Sequence, residues 1–479
     1  MNQVLKKYNG LSDPVKASLW FTVCNILQKG IALLSTPIFT RIMTTDQYGV
    51  YTVYQSWYQI ITVFATLNLS AGVFNNGLTK FPEDKKKFVS SMQGLSTTVT
   101  LLLCIVFCVN IRFWERTLDL SFVLIIALFV QLLFEPAYLF WSAEQRYMYK
   151  YKKLVAITIF IALGSPILGI ITVISTEFKA EARILSFVAV QAIVGIVFYV
   201  YNAKRGKKFF DNKYWKYALS FNIPLIPHYL SMTILNQSDR IMINSMVGKS
   251  EAAVYAIAYT IAMMMTIITT AINNSFIPYT YKGLTERKYL DIKKNSSLLL
   301  VIVGGGCVLA MAFGPELIKI FASKEYYEAI WVMPPVAASV YFMFLYPLFA
   351  NVEFFYEKTK FIMVASCIGA GTNILLNFIF IKIFGYIAAG YTTLACYILF
   401  AFAHYFFYKR IFKENIKEVD NLYDMRFILG FSLMIIVVMI GMTIIYEMPI
   451  VRYSIIILLF AITFWNRKKM IDLLKSLKK

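Results

Sequence analysis

The sequence predicts an all-α integral membrane protein with about fourteen transmembrane helices, on the strength of three observations. Of its 479 residues 59% are hydrophobic and only 15% charged, whereas soluble domains carry about a quarter charged residues. Apolar stretches recur along the chain at the roughly 20 residues a helix needs to cross a hydrocarbon core about 30 Å thick. The polar gaps between them are short, and none is long enough for a separate soluble domain.

In chain order the apolar windows lie near 17–40, 50–72, 88–110, 118–141, 153–175, 183–202, 216–238, 252–275, 297–320, 329–351, 361–383, 386–408, 427–446 and 450–466. The first follows the polar start "MNQVLKKYNGLSDPVK", contains Lys29 and lacks a small-residue cleavage site, so it reads as a retained helix. The seventh carries Pro224, Pro227 and His228, and the last two are separated only by "EMPIVR". All six cysteines fall inside apolar stretches without a CxxC pair. They read as small apolar fillers, and no metal or cofactor is expected.

Lysine and arginine fix the direction of the spans, because cytoplasmic loops retain the excess of positive charge. Thirty-five of the 47 basic residues fall on the side of the N-terminus, including "KKK" at 85–87, "KRGKK" at 204–208 and the tail "RKK". The opposite loops share 11, among them Arg41, Arg183, Arg240 and Arg452, and Lys29 alone lies within a span. Both termini are therefore expected in the cytoplasm. The net charge of +21 is accounted for by these short alternate loops and anionic headgroups, so nucleic acid is not expected as a partner.

The chain also matches itself. A shift of about 199 residues places Arg41-Ile42-Met43 on Arg240-Ile241-Met242 and Asn75-Asn76 on Asn273-Asn274, with Arg-to-Asn separations of 34 and 33. The first landmark joins helices one and two and the second joins helices seven and eight. A shift of six helices preserves orientation, so two parallel six-helix lobes are expected, 1–202 and 203–408, with two appended C-terminal helices and a basic tail in 409–479. By analogy of fold, facing lobes of this kind suit a transporter that works by alternating access.

A first helix ending "STPIFTRIMTTDQYGVY", then "IPLIPHYLSMTILNQSDRIMINSMVG" leading into "EAAVYAIAYTIA", resembles the Wzx-type polysaccharide-unit flippases of the multidrug/oligosaccharidyl-lipid/polysaccharide exporter superfamily. The resemblance covers essentially the whole chain. It implies translocation of a lipid-linked oligosaccharide, usually on undecaprenyl diphosphate, across the bacterial cytoplasmic membrane through a basic central cavity. Its implied partners are that lipid-linked substrate, membrane lipids and polysaccharide polymerase machinery.

Ionisable residues inside hydrocarbon are costly and are functional candidates by default. Lys29 stands mid-span in "NILQKGIALL", one turn after Asn25, as a candidate contact for the substrate phosphate. The alternatives are an ion pair with a buried acid such as Glu135, or snorkelling to an interface. Arg41 and Arg240, at matching places in the lobes, suit diphosphate oxygens, yet Asp46 and Asp239 are at hand for salt bridges that would shape an outer gate. Glu135, beside Pro136, is a candidate for coupling to proton or sodium movement, and His228 could titrate near neutral pH. Pro37 in helix one, with Pro224 and Pro227 in helix seven, mark the equivalent bending elements. Glu353 and Lys382 read as interfacial.

No catalytic constellation is expected. The chain has two histidines, His228 and His404, no GxxxxGK[ST], no HExxH and no GxSxG, and "GGG" at 304–306 lacks the lysine of a phosphate loop. A membrane glycosyl polymerase would carry a long charged outer loop, and here the outer loops are short. The rivals within carriers are a cation-coupled multidrug exporter of the same superfamily and a cell-wall precursor flippase.

Overall fold

The computed structural model describes residues 10, 12–70 and 72–465. The basic tail, and Lys6 and Lys7 at the start, lie outside the described residues. Hydrocarbon offers no partner for backbone N–H and C=O groups, so a spanning chain must satisfy them within itself. The described residues accordingly form helices and no strand.

The first half runs α1 (Asp13–Ile42), α2 (Thr45–Ala65), α3 (Gly72–Lys80), α4 (Lys85–Val109), α5 (Ile111–Leu118), α6 (Phe122–Tyr147), α7 (Lys152–Ile174), α8 (Lys179–Gly206) and α9 (Asn212–Asn222). A 3-10 turn (Ile223–Leu225) leads from α9 into α10 (Ile226–Met246). There follow α11 (Lys249–Ala262), α12 (Met265–Thr285), α13 (Tyr289–Ala312), α14 (Gly314–Phe321) and a second 3-10 segment (Lys324–Trp331). The chain continues through α15 (Met333–Phe355), α16 (Thr359–Phe384), α17 (Ala388–Asn415), α18 (Met425–Ile445) and α19 (Pro449–Trp465).

Among the described residues eleven helical segments are long and apolar enough to cross a membrane, or twelve when the pair α11 and α12, bent by 41°, counts as one span. The sequence-based count is fourteen. Both further windows are helical in the structure. Helix α2 is rich in Tyr, Thr and Gln, which holds its mean hydropathy down, and α19 is short in apolar length. The seventh window is one 35-residue helical run, Asn212–Met246, and Pro224 and Pro227 tighten it locally into the 3-10 turn.

Close contacts divide the chain into two units, Met1–Ile241 and Met242–Lys479. The boundary falls within α10, so the second landmark helix lies mostly in the first unit, but the order of elements along the chain repeats from α1 and from α10. A helix carrying the "RIM" landmark is followed by a second helix that is interrupted, at Leu67 and Asn68 (both φ 50°) between α2 and α3, and at the bend between α11 and α12. A short amphipathic helix, α5 or α14, then separates the third and fourth long helices. Within "RIMTTDQYGVY", the turn to α2 is a capping box: the Gln47 amide donates to Thr44 Oγ1 (3.3 Å) and the Thr44 amide to Gln47 Oε1 (3.0 Å). Asp46 occupies the first turn of α2, where the helix dipole favours an acid.

In the first unit α6 packs along α8. A Cβ built at Gly195 would stand 2.5 Å from the Phe134 carbonyl oxygen, so only glycine admits this approach. In the second unit α15 is the central helix, with 83% of its spanning window buried, against 11% for α1 in the first unit. The "GGG" run does not break α13: a Cβ at Gly304 would meet the Phe431 ring at 2.5 Å, so the run is a seat for α18.

The C-terminal helices are fastened to the second unit. Tyr446 donates to the Met311 carbonyl, and Arg452, 3% exposed, forks onto Glu316 and also donates to the Ala312 carbonyl (2.9 Å). Arg452→Met removes those donors and leaves Glu316 half-buried without them, at a cost of about 1–3 kcal/mol. The expected outcome is a lower midpoint of thermal unfolding in detergent, restored in part by adding Glu316→Leu. An unchanged midpoint for the single variant would remove this fastening role.

Candidate functional site

Spacing on α1 decides which way Lys29 points. Val15, Leu19, Val23 and Ile26 form an exposed apolar stripe. Lys29 shares a different face with Asn25, Thr36 and Thr40, at separations that return to one side of a 3.6-residue helix. That face is exposed at Asn25 and Lys29 and buried at Thr36 and Thr40, and nothing lies within 4 Å of a Cβ built on Gly30. Among the described residues Lys29 is in no ion pair, so the alternative of a Lys29–Glu135 pair is not realised.

Glu135 is held by other groups. Tyr58 Oη donates to Glu135 Oε2 (2.5 Å), Gln131 Nε2 donates to the same oxygen (2.8 Å), and Tyr54 Oη donates to Gln131 Oε1 (3.1 Å). Tyr54 and Tyr58 are one turn apart on α2, and Gln131 and Glu135 are one turn apart on α6, so two i, i+4 pairs meet across the helix interface. Glu135 is half-buried, beside a core that includes Leu132 and Ile61. A carboxylate placed there is expensive unless hydrogen bonded, and the two donors supply that.

The landmark arginines sit at helix ends. Arg41, in the last turn of α1, is exposed and its Nη1 donates to the Pro37 carbonyl one turn back (2.7 Å). Arg240 Nη1 donates to the Asn236 carbonyl and to Gln237 Oε1 (3.0 Å each), and Gln237 Oε1 also accepts from Ser56 Oγ (3.2 Å). Arg240 is thereby tied to α2. Asp239 is buried, His228 is half-buried with its ring 6.0 Å from that of Tyr229, and Pro224 and Pro227 are exposed. These residues are not brought together with Lys29 in one cluster of direct contacts by any hydrogen bond named above.

Two features escaped the sequence reading. Arg183, counted there as an outer loop residue, is 6% exposed at the start of α8, with its guanidinium 3.9 Å from the centre of the Phe39 ring and 4.6 Å from that of Tyr51. Aromatic faces at this range attract the cation. Glu353, expected at an interface, is fully buried on α15, and its Oε1 lies 2.8 Å from Nδ1 of the equally buried His404 on α17. A carboxylate inside the second unit thus meets one of the chain's two histidines. Their separation of 51 residues leaves no local pattern to read. Lys382 is exposed, with its ammonium 3.8 Å from the centre of the Phe378 ring.

With this geometry in view, comparison with known proteins places the chain. The family described as "Polysaccharide biosynthesis protein" matches residues 15–283, more than half of the chain. The chain belongs to that family. A second family model, MatE, matches residues 224–379. An uncharacterized membrane protein of Haemophilus influenzae is 24% identical over 369 residues, covering 74% of this chain and 86% of that protein. Among solved structures, the lipid II flippase MurJ in an inward closed conformation aligns with a TM-score of 0.69 at 14% identity, over 94% of this chain and 100% of that one. An inward-facing multidrug resistance MATE family transporter of the MOP superfamily aligns with a TM-score of 0.63 at 12% identity, over 83% and 96%. The fold is theirs, and the chain is a multi-pass membrane transporter of the MOP superfamily, the multidrug/oligosaccharidyl-lipid/polysaccharide exporters.

The Glu135 network makes a quantitative expectation. Glu135→Leu leaves Tyr58 and one Gln131 donor without this acceptor at a half-buried site, at about 1–3 kcal/mol. Glu135→Gln keeps an acceptor oxygen and should unfold at a midpoint between Glu135→Leu and wild type. Equal midpoints for all three proteins would mean the network holds nothing.

Proposed function

We propose that this protein flips a lipid-linked oligosaccharide, carried on undecaprenyl diphosphate, across the bacterial cytoplasmic membrane for assembly of a surface polysaccharide. Membership of the polysaccharide biosynthesis family over residues 15–283 carries this reading. The position of Lys29 supports it: a cation on the polar face of a spanning helix, in no ion pair among the described residues, is matched to a phosphate headgroup. Transport proceeds by alternating access of lobes 1–202 and 203–408, with 409–479 attached to the second. Both termini face the cytoplasm, and the product passes to polysaccharide polymerase machinery.

In this scheme Lys29 meets the diphosphate, and Arg41 and Arg240 act as paired contacts toward the opposite membrane face. Glu135, Asp239 and His228 couple transport to ion movement, and Pro37, Pro224 and Pro227 mark where α1 and the α9–α10 run bend. The protein performs no bond chemistry of its own. A cation-coupled multidrug exporter is the second reading, favoured by the MatE match over 224–379 and by a carboxylate at Glu135 within the first unit.

Lys29→Ala should abolish transport while leaving the protein folded and inserted, and Lys29→Arg should retain part of it. The measurement is complementation of a flippase-deficient strain, with membrane levels checked for each variant. Full complementation by Lys29→Ala would sink the phosphate contact. For coupling, Glu135→Gln is expected to remove the dependence of transport on an imposed proton or sodium gradient. An unchanged dependence would leave Glu135 a purely structural group.

A further inference from the structure

A second concentration of positive charge lies away from Lys29, at the basic end of the first unit. There the starts of α1 and α4, the end of α6, the start of α7 and the end of α8 line a cavity of about 990 Å³. Lys16, Lys86, Lys150, Lys152 and Lys153 line it. Lys86, Lys150, Lys152 and Lys153 are exposed, and among the described residues none of these four is in an ion pair. The acids lining it do not balance them. Glu144 is already matched, since Arg205 grips it with two bonds of 2.9 Å each, leaving Asp13 as the remaining lining carboxylate.

Like charges gathered around a concave surface repel one another, and an anion relieves that repulsion. The first turn of α7 adds to the attraction, because its opening N–H groups have no partner within the helix. One wall is aromatic. Trp20 of α1 stacks parallel to Tyr151, with ring centres 6.2 Å apart, and Trp is 38% exposed there. Amphipathic rings of this kind sit at the level of lipid headgroups. Beyond the rim the same two helices present exposed apolar side chains, Val23 and Leu27 on α1 and Phe160 and Leu163 on α7. A cationic bowl with an aromatic lip and an apolar slope below it matches a headgroup and its hydrocarbon tail.

The geometry points to this cavity as a binding site for the phosphate-bearing headgroup of an anionic membrane lipid, distinct from the Lys29 contact. Two lipids share that chemistry, a two-phosphate phospholipid of the cardiolipin type and a polyprenyl diphosphate. The first would hold the first unit in its membrane setting, and the second would make the cavity a loading station for substrate.

Native mass spectrometry of the purified full chain tests the site. The protein is exchanged into neutral detergent and titrated separately with cardiolipin, undecaprenyl diphosphate and phosphatidylcholine. Wild type should retain at least one phosphate-rich lipid at least tenfold more strongly than phosphatidylcholine. Lys150→Glu/Lys152→Glu/Lys153→Glu should lose that preference, while a control with the same charge change elsewhere, Lys294→Glu/Lys413→Glu/Lys417→Glu, keeps it. The milder Lys152→Gln/Lys153→Gln, expected to weaken retention severalfold, carries the test if the triple variant does not fold. Selective retention of cardiolipin assigns a structural phospholipid, and selective retention of undecaprenyl diphosphate assigns loading. Equal retention by wild type and the cavity variants, or equal loss in the control, overturns the site.

Discussion

Tyr54, Gln131, Glu135 and Tyr58 form the interaction on which the first unit depends. A carboxylate drawn partly out of water costs free energy unless donors meet it. Here the donors are fixed by the helices themselves, two on α2 and α6 to Glu135 and one more to Gln131. The network also sets the register of α2 against α6, because sliding either helix by one residue would carry the pairs out of reach.

The same constraint organises the rest of the molecule. Glu144 is gripped by Arg205, Glu353 meets His404, and Arg452 meets Glu316 where α19 joins the second unit. Arg183 lies against the rings of Phe39 and Tyr51, with Nε and Nη1 left without a hydrogen-bond partner among the described residues. Against this pattern Lys29 is informative. Several buried charges meet named partners, and a cation on the polar face of α1 in no ion pair among the described residues is then a candidate for meeting a substrate charge. The lysines around the basic-end cavity follow the same logic at the membrane surface.

Much of the fold was legible in the sequence because bilayer thickness imposes a length that composition reveals directly. Helix type, the order of the long spans and the Thr44–Gln47 cap all follow from local pattern. The span count was less legible, since α2 carries Tyr54 and Tyr58 for the Glu135 network together with other polar residues and so is less apolar along its length. The candidate site was legible in part. Lys29 and Glu135 were visible as charges within apolar stretches, and the alternative of an ion pair between them is not realised, Glu135 being held by Tyr58 and Gln131. Tyr54 and Tyr58, and Gln131 and Glu135, each show a four-residue spacing that signals a shared face, though nothing local says the two faces meet. Glu353 and His404, or Arg183 and Phe39, are joined only by tertiary packing across long separations.

The proposed cargo, a negatively charged lipid, rests on membership of the polysaccharide biosynthesis family and on Lys29, a cation of α1 in no ion pair among the described residues, while the fold is shared with a lipid flippase and with drug exporters alike. The choice between that cargo and a cationic drug is one of charge. It is tested most directly by reconstituting the purified protein in liposomes and following two probes across the bilayer, a fluorescent undecaprenyl-diphosphate oligosaccharide and a fluorescent cationic drug. The account predicts protein-dependent transfer of the lipid-linked oligosaccharide between leaflets and none of the drug. Transport of the drug with no transfer of the lipid would contradict it.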